Sequence, residues 1–122
     1  MAQILVVDDE EAVRNILSRF FTKKQYKVIT AETSEQAIST LEREKVDAVL
    51  LDIQLPGLNG LETLRKIRAT WPDVPVVMIS GQQEEAVAKK ALQEGAFDYV
   101  VKPLDLGYLE RTVYMKLVER LR

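Results

Sequence analysis

The 122-residue sequence contains no histidine and no cysteine. Imidazole ligands, histidine proton shuttles, Ser-His and Cys-His nucleophile pairs, thiolate metal sites and disulfides are thereby excluded. Chemistry has to run on carboxylates, hydroxyls, lysine or a bound hard cation. The residues of those types that stand out are Asp8 and Asp9, Asp52, Ser80 and Lys102, each set just after a short apolar run. Were the three aspartates to converge, two carboxylates about 5 Å apart would repel by roughly 3 kcal/mol at an effective dielectric near 20. Such a cluster raises its pKa values or binds a cation. Mg2+ suits it, because that ion takes one or two carboxylates, keeps waters and bridges to phosphate. Asp52 is then a candidate nucleophile, since carboxylates form aspartyl-phosphate intermediates. Lys102 and the cation would stabilise charge on transferring phosphoryl oxygens. Taken singly, each residue has a plainer role. Asp9 reads equally as a cap for a following helix, Asp52 as a loop residue before Pro56 and Gly57, Ser80-Gly81 as a loop entry and Lys102-Pro103 as a turn start. Their joint placement is what argues for a site.

That placement depends on the elements that carry them. Five apolar, β-branched runs, Ile4–Val7, Lys27–Thr30, Ala48–Leu51, Val74–Ile79 and Tyr99–Val101, predict strands buried on both faces, as in a parallel sheet. Five helical stripes alternate with them. Val13, Ile16, Leu17, Phe20 and Phe21 form the first. Ala37, Ile38 and Leu41 form the second, with Ser34 as its expected N-cap. Leu61, Leu64 and Ile67 form the third. Val87, Ala88, Ala91 and Leu92 form the fourth, with Gly95 ending it in a left-handed cap. Leu106, Leu109, Val113, Leu117 and Leu121 form the fifth, capped by Asp105. Five successive βα units predict an α/β fold, a five-stranded parallel sheet with helices on both faces, folded as one domain over residues 1–122. Ligand sites in such folds lie outside the carboxyl ends of the strands, which is where the candidate residues fall.

These residues sit in stretches that together are specific. Val6–Glu10 (Val-Val-Asp-Asp-Glu), Leu50–Gly57 followed by Asn59-Gly60, Val77–Gly81 and Gly95–Pro103 resemble, over essentially the whole chain, the receiver domain of bacterial two-component response regulators. The resemblance implies a flavodoxin-like fold with strand order 2-1-3-4-5. It also implies a phosphorylation-dependent signalling switch whose phosphoacceptor is Asp52. Asp8 and Asp9 look like metal-binding acids, Asp9 the more direct ligand, with Asp52 and the backbone carbonyl of Gln54 completing the protein ligands to Mg2+. Ser80 looks like the switch hydroxyl, Lys102 like the lysine that pairs with the phosphoryl group ahead of a cis peptide at Pro103, and Tyr99 like the aromatic switch residue. Tyr99 reads otherwise as a half-buried strand aromatic. Gln54 and Gln82 stand at positions that resemble those tuning dephosphorylation, and small Gly81 leaves a path to Asp52. The implied partners are a histidine kinase or phosphotransfer protein as donor and an output domain or downstream protein as target. The implied working surface is helix four, strand five and helix five. On helix five, Tyr108 and Met115 lie one heptad apart and away from the apolar stripe, marking a surface for a partner or a phosphorylation-dependent homodimer.

Composition narrows the rest. A net charge of −2 and no long basic run speak against direct nucleic-acid binding. The apolar stretches are too short to span a bilayer, and the start at Met1 lacks a signal-peptide pattern, so a cytoplasmic location without membrane association is expected. No nucleotide-binding glycine motif is present. A phosphatase with an aspartyl intermediate would place a second acid two residues after its nucleophile, where this chain has Gln54, so the chain is expected to assist its own phosphorylation and dephosphorylation without being an enzyme. A receiver-like module working through constitutive contacts is the alternative.

Overall fold

The structure, a computed structural model, describes residues 1–55, 59–81 and 85–120. The strands are β1 (Gln3–Val7), β2 (Lys27–Ala31), β3 (Ala48–Asp52), β4 (Val76–Ser80) and β5 (Asp98–Val101). The helices are α1 (Glu11–Lys23), α2 (Ser34–Arg43), α3 (Gly60–Thr70), α4 (Glu85–Gln93) and α5 (Leu106–Arg120). All strand pairs are parallel, in the order β2-β1-β3-β4-β5. Strands and helices alternate because apolar runs of strand length alternate with stripes of helical period. The parallel sheet follows because every strand is returned to by a helical crossover.

Strand side chains alternate between two cores. On one face Leu5, Val7, Val49, Leu51, Val76 and Met78 pack with Ala37, Leu41, Leu64, Ile67 and Ala91 from α2, α3 and α4. On the other, Ile4, Val6, Leu50, Val77 and Ile79 pack with Leu17 and Phe21 of α1 and Leu109 and Val113 of α5. Two cores require the central strands to be apolar on both sides, and every residue of β3 and β4 is buried.

Several expectations need correction. Ile16 and Leu92 lie off their buried stripes, 53 % and 48 % exposed. A sheet covers only a narrow strip of a helix, and Leu17, Phe21 and Ala91 fill it. The cap of α2 is Thr33, whose hydroxyl accepts from the Gln36 N–H at 3.1 Å. Ser34 is instead buried as the first helical residue and accepts a hydrogen bond from Thr63 at 2.8 Å, tying α2 to α3. β4 starts at Val76 because Pro75 has no N–H to enter the ladder. Other expectations match. Gly95 has φ +102°, Asp105 accepts from the Tyr108 N–H at 3.0 Å, and Tyr108 and Met115 are exposed. Leu121, Gln82 and the Pro56-Gly57 pair lie outside the described residues.

The correction in α1 carries an expected outcome. Leu17→Ala should cost about 3 kcal/mol in urea denaturation, while its neighbour change Ile16→Ala should stay within about 0.5 kcal/mol. Equal losses would mean that the helix is rotated from the orientation described.

Candidate functional site

The carboxyl edges of β1, β3, β4 and β5 lie side by side, and the backbone continues the ladder beyond them. The Ile53 N–H donates to Ile79 O at 2.9 Å and the Lys102 N–H to Ser80 O at 2.7 Å. Asp8, Asp52, Ser80 and Lys102 are thereby brought to one rim. Asp8 and Asp52 are 1 % and 3 % exposed, and Ser80 is fully buried. Asp9 and Glu10 are exposed beside them. One carboxylate oxygen from each of Asp8, Asp9, Glu10 and Asp52 falls within a group no wider than 4.8 Å.

Lys102 answers this charge. Its Nζ lies 2.9 Å from Glu10 Oε1, 3.1 Å from Asp8 Oδ2 and 3.7 Å from Asp52 Oδ2. Burial works to lower the pKa of this amine, but the hydrogen bond to Glu10, the close approach of Asp8 and the charge of Asp52 outweigh it and hold the amine above its ordinary range. Lys102 is therefore charged at neutral pH. The Asp52 carboxyl is raised as well, in its case toward the neutral form. Burial, against the backbone N–H of Gln54 and with the charge of Asp8 added, lifts its carboxyl from 3.8 to about 6, Lys102 notwithstanding. The Gln54 N–H donates to Asp52 Oδ1 at 3.0 Å and fixes the carboxylate plane.

Asp8 Oδ2 is shielded from solvent and accepts no well-directed hydrogen bond. Lys102 approaches it at 3.1 Å as a charge partner, which leaves a buried oxygen with unused acceptor capacity. Four oxygen donors without nitrogen or sulfur, one of them buried and under-satisfied, fit a small hard cation such as Mg2+.

Of the residues expected from sequence, Asp8, Asp9, Asp52 and Lys102 meet directly, and Ser80 joins them at the end of β4. Asp9 does not cap α1, whose N-cap is Glu10 with no side-chain cap bond. Gln54 is exposed next to Asp52. Tyr99 is half-buried on β5, in register with Met78 and against the core. The Lys102–Pro103 peptide is cis, as the resemblance implies.

Two contributors escaped the sequence reading. Glu10 was seen only as part of the Val6–Glu10 stretch, and its pairing with Lys102 spans 92 positions. Arg14 donates to the Asp8 carbonyl at 2.8 Å and to Glu32 at 3.2 Å, pinning the turn after β1 to the chain after β2. Its sequence signal was weak: it is one of three basic residues on α1, set one turn before Leu17 at the border of the apolar stripe.

Comparison with known proteins agrees with this geometry. A family profile described as response regulator receiver domain matches residues 4–114. The transcriptional regulatory protein KdpE of Staphylococcus aureus is 34 % identical over 120 residues, covering 98 % of this chain and 51 % of that protein. Among solved structures, a two-component response regulator from Clostridium difficile superposes with a TM-score of 0.93 at 28 % identity, covering 100 % of this chain and 99 % of that one. A structure described as the BeF3-activated DrrB receiver domain superposes at 0.88 with 30 % identity over 96 % of this chain and 97 % of its own. The chain spans about half the length of curated relatives such as KdpE. No described helix is long and apolar enough to cross a membrane. With the profile match, the parallel 2-1-3-4-5 sheet and the acid-and-lysine rim in hand, the chain belongs to the response regulator receiver domain family.

Proposed function

We propose that this receiver accepts a phosphoryl group on Asp52 from a phosphohistidine of a histidine kinase or phosphotransfer protein. The observation that carries the reading is the setting of Asp52: a buried carboxylate at the end of a central strand, with Lys102 3.7 Å away and three further acids beside it. An Asp52 oxygen attacks phosphorus in line while the bond from phosphorus to the donor imidazole nitrogen breaks. The donor imidazole, protonated on its other ring nitrogen, leaves with the electron pair and so ends neutral. Lys102 supplies positive charge to the phosphoryl oxygens, and the Gln54 N–H orients the attacking carboxylate. Asp8, Asp9, Asp52 and the Gln54 backbone carbonyl would hold Mg2+, which when bound supplies further positive charge to phosphoryl oxygens.

The phosphoryl group adds up to two negative charges and strong acceptors next to Lys102 and Ser80. Ser80 turning toward it and Tyr99 following would shift a pre-existing equilibrium at the surface formed by α4, β5 and α5. That surface is read by an output domain or a downstream protein. Transcriptional regulators among the relatives make an output domain attached to the same chain one form of this coupling. The protein is spent as a stoichiometric acceptor, so it turns over no free substrate.

Intact mass after incubation with acetyl phosphate tests the reading. One phosphoryl group should be gained with Mg2+ and none with EDTA. No gain under either condition, together with no binding of beryllium trifluoride, would leave a constitutive interaction module. The output surface has its own check. Met115, 62 % exposed on α5, lies on the proposed contact surface with Tyr108. Met115→Glu should weaken phosphorylation-dependent association about tenfold in analytical sedimentation, the cost of a charge in an apolar contact, and leave phosphorylation intact. Unchanged association would remove Met115 from that contact.

A further inference from the structure

Lys102 is shared unequally, and its nearest partner is a residue to which the proposed chemistry gives no part. The ammonium stands at hydrogen-bond distance from Glu10, 2.9 Å, and beyond it from Asp52, 3.7 Å. The three carboxylates around it differ in freedom. Asp8 is 1 % exposed, its Oδ1 takes the Glu10 N–H at 2.9 Å, and its backbone carbonyl takes Arg14. Asp52 is buried and held by the Gln54 N–H. The Glu10 side chain is 60 % exposed and can swing into water. Its backbone stays put, because its N–H is bound to Asp8 and its carbonyl accepts from the Arg14 N–H at 3.1 Å. Lys102 is likewise anchored at its backbone, through the Ser80 carbonyl at 2.7 Å. Two fixed backbones thus carry two side chains that meet over the rim.

We propose that Glu10 is a positioning residue that holds the Lys102 ammonium off Asp52 in the unphosphorylated protein, and that Lys102 leaves Glu10 to meet a phosphoryl group on Asp52. This rests on the reading of Asp52 as phosphoacceptor. The contact between Glu10 and Lys102 then opposes the phosphorylated state, because it is made before transfer and given up after it. A pair with one partner this exposed is weak, so the opposition is small and reversible. Glu10 sets a threshold without blocking transfer.

Affinity for beryllium trifluoride, a phosphoryl stand-in, measured by fluorine NMR with saturating Mg2+, tests the idea. Glu10→Gln keeps the shape of the side chain and removes its charge, and should tighten binding about two- to fivefold, the worth of an exposed ion pair. In a Lys102→Met background the same change should have no effect. In the resting, metal-free protein, Glu10→Gln should also move the side-chain nitrogen signal of Lys102, a measurement that does not depend on the double variant folding. Unchanged or weaker binding, a gain that persists without Lys102, or an unmoved Lys102 signal would each overturn the proposal. Wild-type protein that neither binds beryllium trifluoride nor gains a phosphoryl group would overturn the reading beneath it as well. Wild-type binding matched by Glu10→Gln would overturn this inference alone.

Discussion

Asp52→Asn is expected to abolish phosphoryl uptake from acetyl phosphate and, in the same protein, to raise stability above pH 6 in metal-free buffer. The loss follows if Asp52 is the nucleophile, since an amide oxygen does not replace a carboxylate in attack on phosphorus. The gain follows from burial. The Asp52 carboxyl titrates near 6 in the folded chain, against 3.8 when free in water. Between those values the folded state holds a proton that the unfolded chain has lost, so stability falls as pH rises through this window. The cost is complete by about pH 7 and amounts to on the order of 3 kcal/mol. Asparagine removes the charge and keeps an oxygen for the Gln54 N–H. Lys102 keeps Glu10 and Asp8 at 2.9 and 3.1 Å, so the substitution leaves no cation stranded. Urea denaturation of both proteins with EDTA should therefore show a difference near zero at pH 4 that opens to its full size by pH 7. A difference that does not change with pH would refute the burial argument. A phosphoryl group on the variant would refute the assignment of the acceptor.

Gly60→Ala is expected to destabilise the protein by about 3 kcal/mol and to slow phosphoryl uptake. Helix propensity alone predicts the opposite sign, a gain of up to about 1 kcal/mol for alanine. The tertiary contact decides. Gly60 opens α3, and its N–H donates to the Ile53 carbonyl at 2.8 Å. A Cβ there would stand 2.6 Å from Asp52 O and 2.7 Å from Ile53 C, with Ile53 Cα nearer still. These are backbone atoms and cannot turn aside as a flexible side chain would. Relief requires α3 to withdraw from the end of β3 or the Asp52–Ile53 peptide to tilt, and the tilt would move the carboxylate that is to attack. A denaturation midpoint equal to wild type would show that the two segments part without cost.

Some of this was legible in the residue order. Alternation of β-branched runs with helical stripes is a local property, so the ten elements and the placing of Asp8, Asp52, Ser80 and Lys102 at strand ends could be read from periodicity. The strand order came from the resemblance, because period says nothing about which strand lies beside which. Boundaries shifted where two neighbours compete for one role. Thr33 and Ser34 both carry a hydroxyl suited to capping, and only the buried partner Thr63 decides that Ser34 is drawn inward. Ile16 and Leu17 both satisfy the stripe, and only the narrow strip covered by the sheet decides that Leu17 is buried. Sequence by itself determined which side chains carry charge, that thiol and imidazole chemistry are absent, and that acids stand at the ends of β1 and β3 and a lysine at the end of β5. The tertiary structure alone decided how that lysine is divided among Glu10, Asp8 and Asp52, which oxygen is left buried and under-satisfied, and why α3 must begin with a residue that has no side chain. Each of these turns on distances between atoms far apart along the chain, and such distances exist only once the parallel strands have been laid side by side.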